Sequence, residues 1–254
     1  MSTTVVVTGA GRGIGRALAL RYAADGARVV VNDLDGDAAA EVADETGGVS
    51  IPGDAASEDG ASRLFDAAHA AVGDIDVWCA NAGVERGHSL AASEEDWALS
   101  LQVNVMAHVR AARLLVPAWV ERGEGRFVVT ASAAGLLTML GSPAYSVSKH
   151  GAVAFAEWLS ATYRHRGIHV HAICPQAVRT RMLAGIGNFE GTVGHDGAIE
   201  PEVVAEALMD AIDADRFLVL PHPEVAGYYE RRTTDTDRWL AGMNRIQQQA
   251  EEAR

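Results

Sequence analysis

Lysine is nearly missing from this chain. Twenty arginines accompany a single lysine, Lys149. Positive charge is in deficit overall: 21 basic against 34 acidic residues give a formal net charge of −13. A nucleic-acid groove or an anionic membrane surface needs the opposite sign, so neither is an expected partner. Cysteine is scarce as well. Cys79 and Cys174 each close an apolar run, and there is no Cys-x-x-Cys pair. The nine histidines include no His-Glu-x-x-His. No metal site is therefore expected, and a reducing, cytoplasmic setting fits. No apolar run approaches the roughly 20 residues of a membrane-spanning helix. Residues 1–4 lead straight into a strand pattern, without the charged and apolar regions of a signal peptide. Repeats, low-complexity stretches and linkers are lacking. With 254 residues, 48% of them apolar, a single domain spanning 1–254 is expected.

What is present begins at the N-terminus. Val5, Val6 and Val7 form a β-branched run. A turn of the form G-x-x-x-G-x-G follows, from Gly9, Gly13 and Gly15, with Arg12 and Ile14 between them. A helical pattern starts at Arg16. No Gly-Lys-Ser/Thr closes the turn, so it is not a P-loop. Strand, glycine turn, helix is the order that a dinucleotide pyrophosphate needs. Glycine lets backbone approach the phosphates, and the helix start offers free N–H groups to the anion. Further strands are expected at 28–33, 49–52, 75–80, 125–132, 168–174 and 217–220. Helices are expected at 35–46, 57–72, 93–122 (kinked near Pro117), 142–166 and 201–213. This alternation predicts an α/β fold: a Rossmann-type, doubly wound parallel sheet of about seven strands with helices on both faces. Residues 182–197 hold five glycines without a period, as a working loop does. We read 181–215 as a substrate-binding loop and helix, and 221–254 as a C-terminal tail. In that tail Trp239, Leu240, Met243 and Ile246 recur at helical spacing, a stripe expected to cover the core or a sister subunit.

Asp33 closes the second strand, where a carboxylate accepts hydrogen bonds from the adenosine ribose and repels a 2′-phosphate. The next residue is Leu34, not a cation. Arg12 is the one feature that favours NADP; Asp33 outweighs it, and NAD is the expected cofactor. Tyr145 and Lys149 stand four apart on one helix and face the same way. A phenol is a poor base at neutral pH, and a neighbouring ammonium is expected to draw its pKa down. Arginine's broad fork does not substitute for that compact charge. Ser132 falls at a strand end, where doubly wound sheets bind ligands, and its hydroxyl can donate to a substrate oxygen.

Together these residues resemble the short-chain dehydrogenase/reductase family over nearly the whole chain. The family's glycine motif matches Thr8-Gly9-x-x-x-Gly13-Ile14-Gly15. Its acid and adenine contact match Asp54 and Ala55. Its Asn-Asn-Ala-Gly motif matches Ala80-Asn81-Ala82-Gly83, with Ala in first place. Its serine, tyrosine, lysine and helix asparagine fall on Ser132, Tyr145, Lys149 and Asn104. Its Pro-Gly motif is here Pro175-Gln176, so a side chain stands where the family leaves room beside the nicotinamide. The resemblance implies that Tyr145 exchanges the alcohol proton and Ser132 holds the substrate oxygen. Lys149 would bind the nicotinamide ribose, and Asn104 would hold a relay water. Val178 and Thr180 would fix the carboxamide, with Asn81 and Gly83 beside the ribose. Leu137, Gln176 and Met182, with Val84, Ala133, Leu136, Met139, Leu140 and Leu183, would flank a small-molecule substrate, a hydrophobic secondary alcohol or ketone. The family often forms a homotetramer (or homodimer) on two long helices, here about 93–122 and 142–166. Three other functions carry less of the sequence. A carrier-bound 3-oxoacyl reductase would want NADPH and a basic patch. A non-catalytic nucleotide sensor has no need of Ser132, Tyr145 and Lys149 together, and a methyltransferase leaves the last two unexplained.

Overall fold

The structure, a computed structural model, describes residues 3–185 and 197–252. Seven strands form one parallel sheet: β1 Thr4–Thr8, β2 Arg28–Asn32, β3 Val49–Ser50, β4 Val77–Ala80, β5 Gly125–Thr130, β6 Ile168–Ile173 and β7 Leu218–Val219. Their order is β3-β2-β1-β4-β5-β6-β7. The β-branched runs were expected to be buried on both sides, and they are. Val6, Val30, Trp78 and Phe127 face one core, which also holds residues of α3 (Glu58–Val72), α5 (Ala107–Arg122) and α7 (Pro143–Tyr163). Val5, Val7, Val31 and Val128 face the other, with α1 (Gly13–Ala24), α2 (Gly36–Thr46) and α9 (Pro201–Asp213). Each such side chain contributes roughly 1.5–3 kcal/mol on burial. Strand order reverses between β1 and β4, and a doubly wound sheet opens its ligand crevice at the carboxyl ends of such a pair.

The expected helix starts are present. Asp35 accepts from the Ala38 N–H and Ser57 from the Gly60 N–H. Ser93 and Asp96 form a reciprocal capping box at the start of α4 (Glu94–Leu101). The long helix expected over 93–122 is interrupted, however. A π-helical turn, Gln102–Met106, joins α4 to α5, and it carries Asn104. Pro117 lies within α5. Four short or peripheral helices were not anticipated as separate elements: α6 (Ala134–Leu137), α8 (Arg181–Gly185), α10 (Glu224–Thr234) and α11 (Thr236–Glu252). The glycine-rich stretch expected at 182–197 falls mostly outside the described residues. Among the described residues no helix is long and apolar enough to cross a membrane, and no group of three His, Cys, Asp or Glu is placed to hold a metal ion.

Candidate active site

The carboxyl ends of β1, β2, β4, β5 and β6 surround a cleft of about 1280 Å³. At its N-terminal end the glycine turn packs backbone against backbone. Gly9 has φ +61°, and a Cβ there would stand 2.8 Å from the Ala82 Cα. A Cβ on Gly15 would stand 2.2 Å from the Gly9 carbonyl oxygen. Helix α1 begins at Gly13. Arg12 gives it no side-chain cap, and its first turn holds no acid. Its leading N–H groups therefore open on the cleft with the positive end of the helix dipole.

Side chains brace this end. Asn81 donates through Nδ2 to the carbonyls of Thr8 (3.0 Å) and Gly9 (3.1 Å) and accepts from the Thr130 hydroxyl at 3.0 Å. The Thr8 hydroxyl in turn accepts from the Asn81 and Ala82 N–H groups. Asp33 accepts from the Gly11 N–H at 2.9 Å and from the Asp35 N–H at 3.0 Å. Asp54 accepts from the N–H groups of Ala56 and Ser57. Its burial works against the charge, but the hydrogen bonds of Ser57 and Ala56 outweigh it and hold the carboxyl below its usual range. Arg12, the feature that favoured NADP, forms an ion pair with Asp35. Leu34 is exposed on the rim.

At the other end Ser132, just past β5, and Tyr145 and Lys149, on α7, converge. The Ser132 hydroxyl accepts from the Ala134 N–H at 3.1 Å, and it stands near enough to the Tyr145 phenol to draw its pKa down. The Lys149 ammonium is buried, donates to the Thr130 carbonyl at 2.8 Å and lies 5.7 Å from the Tyr145 ring centre. Asn104 is fully buried. It exchanges hydrogen bonds with both backbone groups of Val84 and donates to the Ser148 hydroxyl. The bare face of Gly83 points at both residues: a Cβ there would lie 3.3 Å from Asn104 Oδ1 and 3.4 Å from Lys149 Nζ.

One expectation is corrected here. Lys149 does not draw the phenol's pKa down in the protein alone. Burial pushes Tyr145 up to about 12; the Ser132 hydroxyl opposes this, and the Glu85 and Cys174 charges add to it. Burial also lowers the Lys149 ammonium to about 8. The low-dielectric pocket disfavours both charges.

Nearly every residue singled out in the sequence lines the cleft: the glycine turn, Asp33, Leu34, Asp54, Ala55, Asn81 to Gly83, Ser132, Tyr145, Lys149, Pro175, Gln176, Val178, Thr180 and Met182. Asn104 stands behind the wall. Leu137 is a second correction: α6 turns it into an adjoining cavity instead. Of the other expected substrate neighbours, Val84, Met139 and Leu183 line the cleft, whereas Leu136 is in the core. Sequence reading missed Glu85, whose side chain is 6% exposed and accepts from the Ser142 hydroxyl at 2.7 Å. It also missed His108, one turn beyond Asn104. That ring is buried, neither nitrogen has a partner among the described residues, and burial lowers its pKa to about 3, so it is neutral. An acid two residues past Gly83 was the available signal for Glu85. Nothing in the sequence marked His108.

Residues 3–191 match the family described as short chain dehydrogenase. A curated relative, the 1-deoxy-11-beta-hydroxypentalenate dehydrogenase of Streptomyces exfoliatus, is 38% identical over 234 residues, covering 86% of this chain and 82% of its own. A short chain dehydrogenase/reductase from Burkholderia phymatum, solved in complex with NAD, superposes with a TM-score of 0.84 at 29% identity, over 93% of this chain and 94% of its own. A 7 alpha-hydroxysteroid dehydrogenase, solved with NADH and 7-oxo glycochenodeoxycholic acid, gives 0.77 at 26% identity, over 86% of this chain and 91% of its own.

Proposed function

The chain belongs to the short-chain dehydrogenase family, and from that premise we propose that it transfers hydride between NAD(H) and a hydrophobic secondary alcohol or its ketone, with Tyr145 as general acid and base. The observation that carries this reading is the convergence of Ser132, Tyr145 and Lys149 at one end of a cleft whose other end is an uncapped helix start. The residues fit a dinucleotide. The turn of Gly9, Gly13, Ile14 and Gly15 and the opening N–H groups of α1 would hold the pyrophosphate. Asp33 would accept from the adenosine ribose, and Asp54, Ala55 and Leu34 would border the adenine. Asn81, Ala82 and Gly83 would pass beside the second ribose, which Lys149 would grip. Pro175, Val178 and Thr180 would fix the carboxamide. When bound, the nicotinamide supplies or accepts the hydride.

Cofactor choice follows from charge. A 2′-phosphate would meet the Asp33 carboxylate, and the cation nearest the turn, Arg12, is engaged by Asp35. The structural neighbours named above, solved with NAD and NADH, support the same choice.

The chain's own groups handle the proton. Ser132 donates to the substrate oxygen as charge gathers on it. Tyr145, held neutral by burial, gives its proton to that oxygen in the reductive direction. In the oxidative direction it must first be deprotonated, so oxidation speeds up as pH rises. Oδ1 of Asn104 and Nζ of Lys149 converge on the bare face of Gly83, where a water would relay protons. Apolar neighbours, Met182 among them, suit a hydrophobic alcohol body. In this reading 1–254 acts as one catalytic unit, with 181–215 bordering the substrate. The exposed Leu99, Leu101, Val147 and Trp158 on α4, the π turn's approach and α7 support a homotetramer or homodimer formed through those helices.

The test is direct. Purified protein is titrated with NAD and NADP by calorimetry, then offered a panel of secondary alcohols while reduced nicotinamide is followed by absorbance. NAD is expected to bind at least tenfold tighter and to be reduced. Tighter binding of NADP overturns the cofactor choice, and no reduction across the panel overturns the activity.

A further inference from the structure

Behind the substrate end of the cleft lies a second cavity, of about 860 Å³. Three residues, Ala134, Met139 and Gln176, line both spaces, so the second adjoins the first, with Ala134 two residues past Ser132. Gln176 is the residue that replaces a family glycine. Its backbone N–H donates to His222 Nδ1 at 3.1 Å, which holds it at this junction. The outer wall is α11. No residue of that helix is fully buried, yet Trp239, Met243 and Ile246 are half-buried and line the cavity. The apolar stripe of the tail therefore borders a space that adjoins the cleft of Ser132, Tyr145 and Lys149.

Charge around this cavity, on α10 and α11, runs against the rest of the molecule. In a chain of net charge −13, Arg231, Arg238 and Arg245 line the cavity against two acids, Glu230 and Asp235. Asp235 accepts from the Arg238 backbone N–H as a helix cap. Among the described residues none of the three guanidinium groups pairs with a carboxylate; Arg231 stacks on the Tyr228 ring, 4.9 Å from its centre. Arg238 and Arg245 stand seven apart on α11, and Arg231 reaches the cavity from the end of α10. Gly242 sits among them, and a Cβ there would meet only the Arg245 guanidinium, at 3.8 Å.

We propose that this rear chamber holds the far end of an elongated apolar alcohol that terminates in a carboxylate, with Gln176 at the passage, Trp239, Met243 and Ile246 against the apolar body, and Arg238 and Arg245 facing the acid. The proposal rests on the alcohol-oxidising reading of the cleft, and it adds to that reading the shape and charge of the substrate.

Two measurements test it. The first needs no turnover. Decanoate, which has no hydroxyl, is titrated into the protein while tryptophan fluorescence is followed. A saturable change is expected in the wild type. It should be absent in Trp239→Phe and at least tenfold weaker for methyl decanoate. The second uses 2-butanol and 9-hydroxydecanoate with NAD. Gly242→Leu adds bulk to open space on a helix, where leucine is the better helix former. It is expected to raise KM for 9-hydroxydecanoate at least tenfold and leave 2-butanol within twofold. Arg238→Ala with Arg245→Ala should raise KM for 9-hydroxydecanoate but not for its methyl ester. Equal effects on long and short alcohols, or no effect on either, overturn the chamber. So does a change in oligomeric state with Gly242→Leu, because the stripe is then a subunit contact. Failure of every alcohol together with saturable decanoate binding overturns the activity reading and leaves the chamber standing.

Discussion

The two ends of the cleft are held in opposite ways. At the proposed nucleotide end, Asn81, Thr8, Asp33 and Asp54 have their hydrogen bonds in place within the protein itself. At the proposed catalytic end, a phenol and an ammonium are buried with their protonation shifted against charge, and a neutral His108 is buried beside them without partners among the described residues. The difference teaches where this fold draws its stability and where it spends it. The nucleotide end is a satisfied polar scaffold. The catalytic end is an unfavourable arrangement kept by the surrounding core, as sites that hold shifted pKa values are.

Substitutions at the two ends should therefore move stability in opposite directions. The largest effect belongs to Gly15→Ala. Its Cβ would stand 2.2 Å from a backbone oxygen, with no flexible side chain to yield. A loss of at least about 4 kcal/mol is expected, beyond ordinary overpacking, together with NAD affinity; thermal melting and nucleotide titration read both. Next, with the reverse sign, is Lys149→Met. The ammonium's pKa is lowered to about 8 in the folded chain from 10.5, so the unfolded chain binds more protons between those values and stability rises with pH across that window. Removing the charge should stabilise the fold at pH 7 by up to about 3 kcal/mol and flatten the rise, while activity is lost. Denaturant melts at several pH values measure this; a destabilised variant would break the comparison.

Asn81→Ala comes third. It removes three side-chain hydrogen bonds and should cost about 2–3 kcal/mol, visible as a lower melting temperature. The smallest effect on rate and fold belongs to Glu85→Gln. The Glu85 charge is one of those that raise the Tyr145 pKa, alongside Cys174 and against Ser132. Its loss should shift the pH profile of alcohol oxidation to lower pH with little change in stability; an unmoved profile would detach Glu85 from the phenol.

The contrast also explains what was legible beforehand. The nucleotide end is written in local sequence, because a strand, glycines at fixed offsets and a helix start are short-range features. The helices expected from residues 35, 57 and 93 begin there, each capped by the side chain at that position. The convergence of Ser132, Tyr145 and Lys149 was legible because Tyr145 and Lys149 share a helix face and Ser132 closes a strand. The pKa of the phenol was not, since burial is a property of the packed core and not of spacing. The π turn that buries Asn104 left no mark in the pattern, nor did the short α6 that turns Leu137 into the rear chamber. The stripe of Trp239, Met243 and Ile246 was seen, but its neighbour in space, the junction of two cavities at Gln176, depends on how distant helices fold back.

The central claim is that the Tyr145 hydroxyl carries the proton while the rest of the cleft binds the cofactor. Tyr145→Phe tests it most directly, with NAD binding and alcohol turnover measured on one preparation. The account predicts NAD affinity within about threefold of the wild type and turnover reduced by roughly 10²–10⁴. Turnover within a factor of ten of the wild type would contradict it.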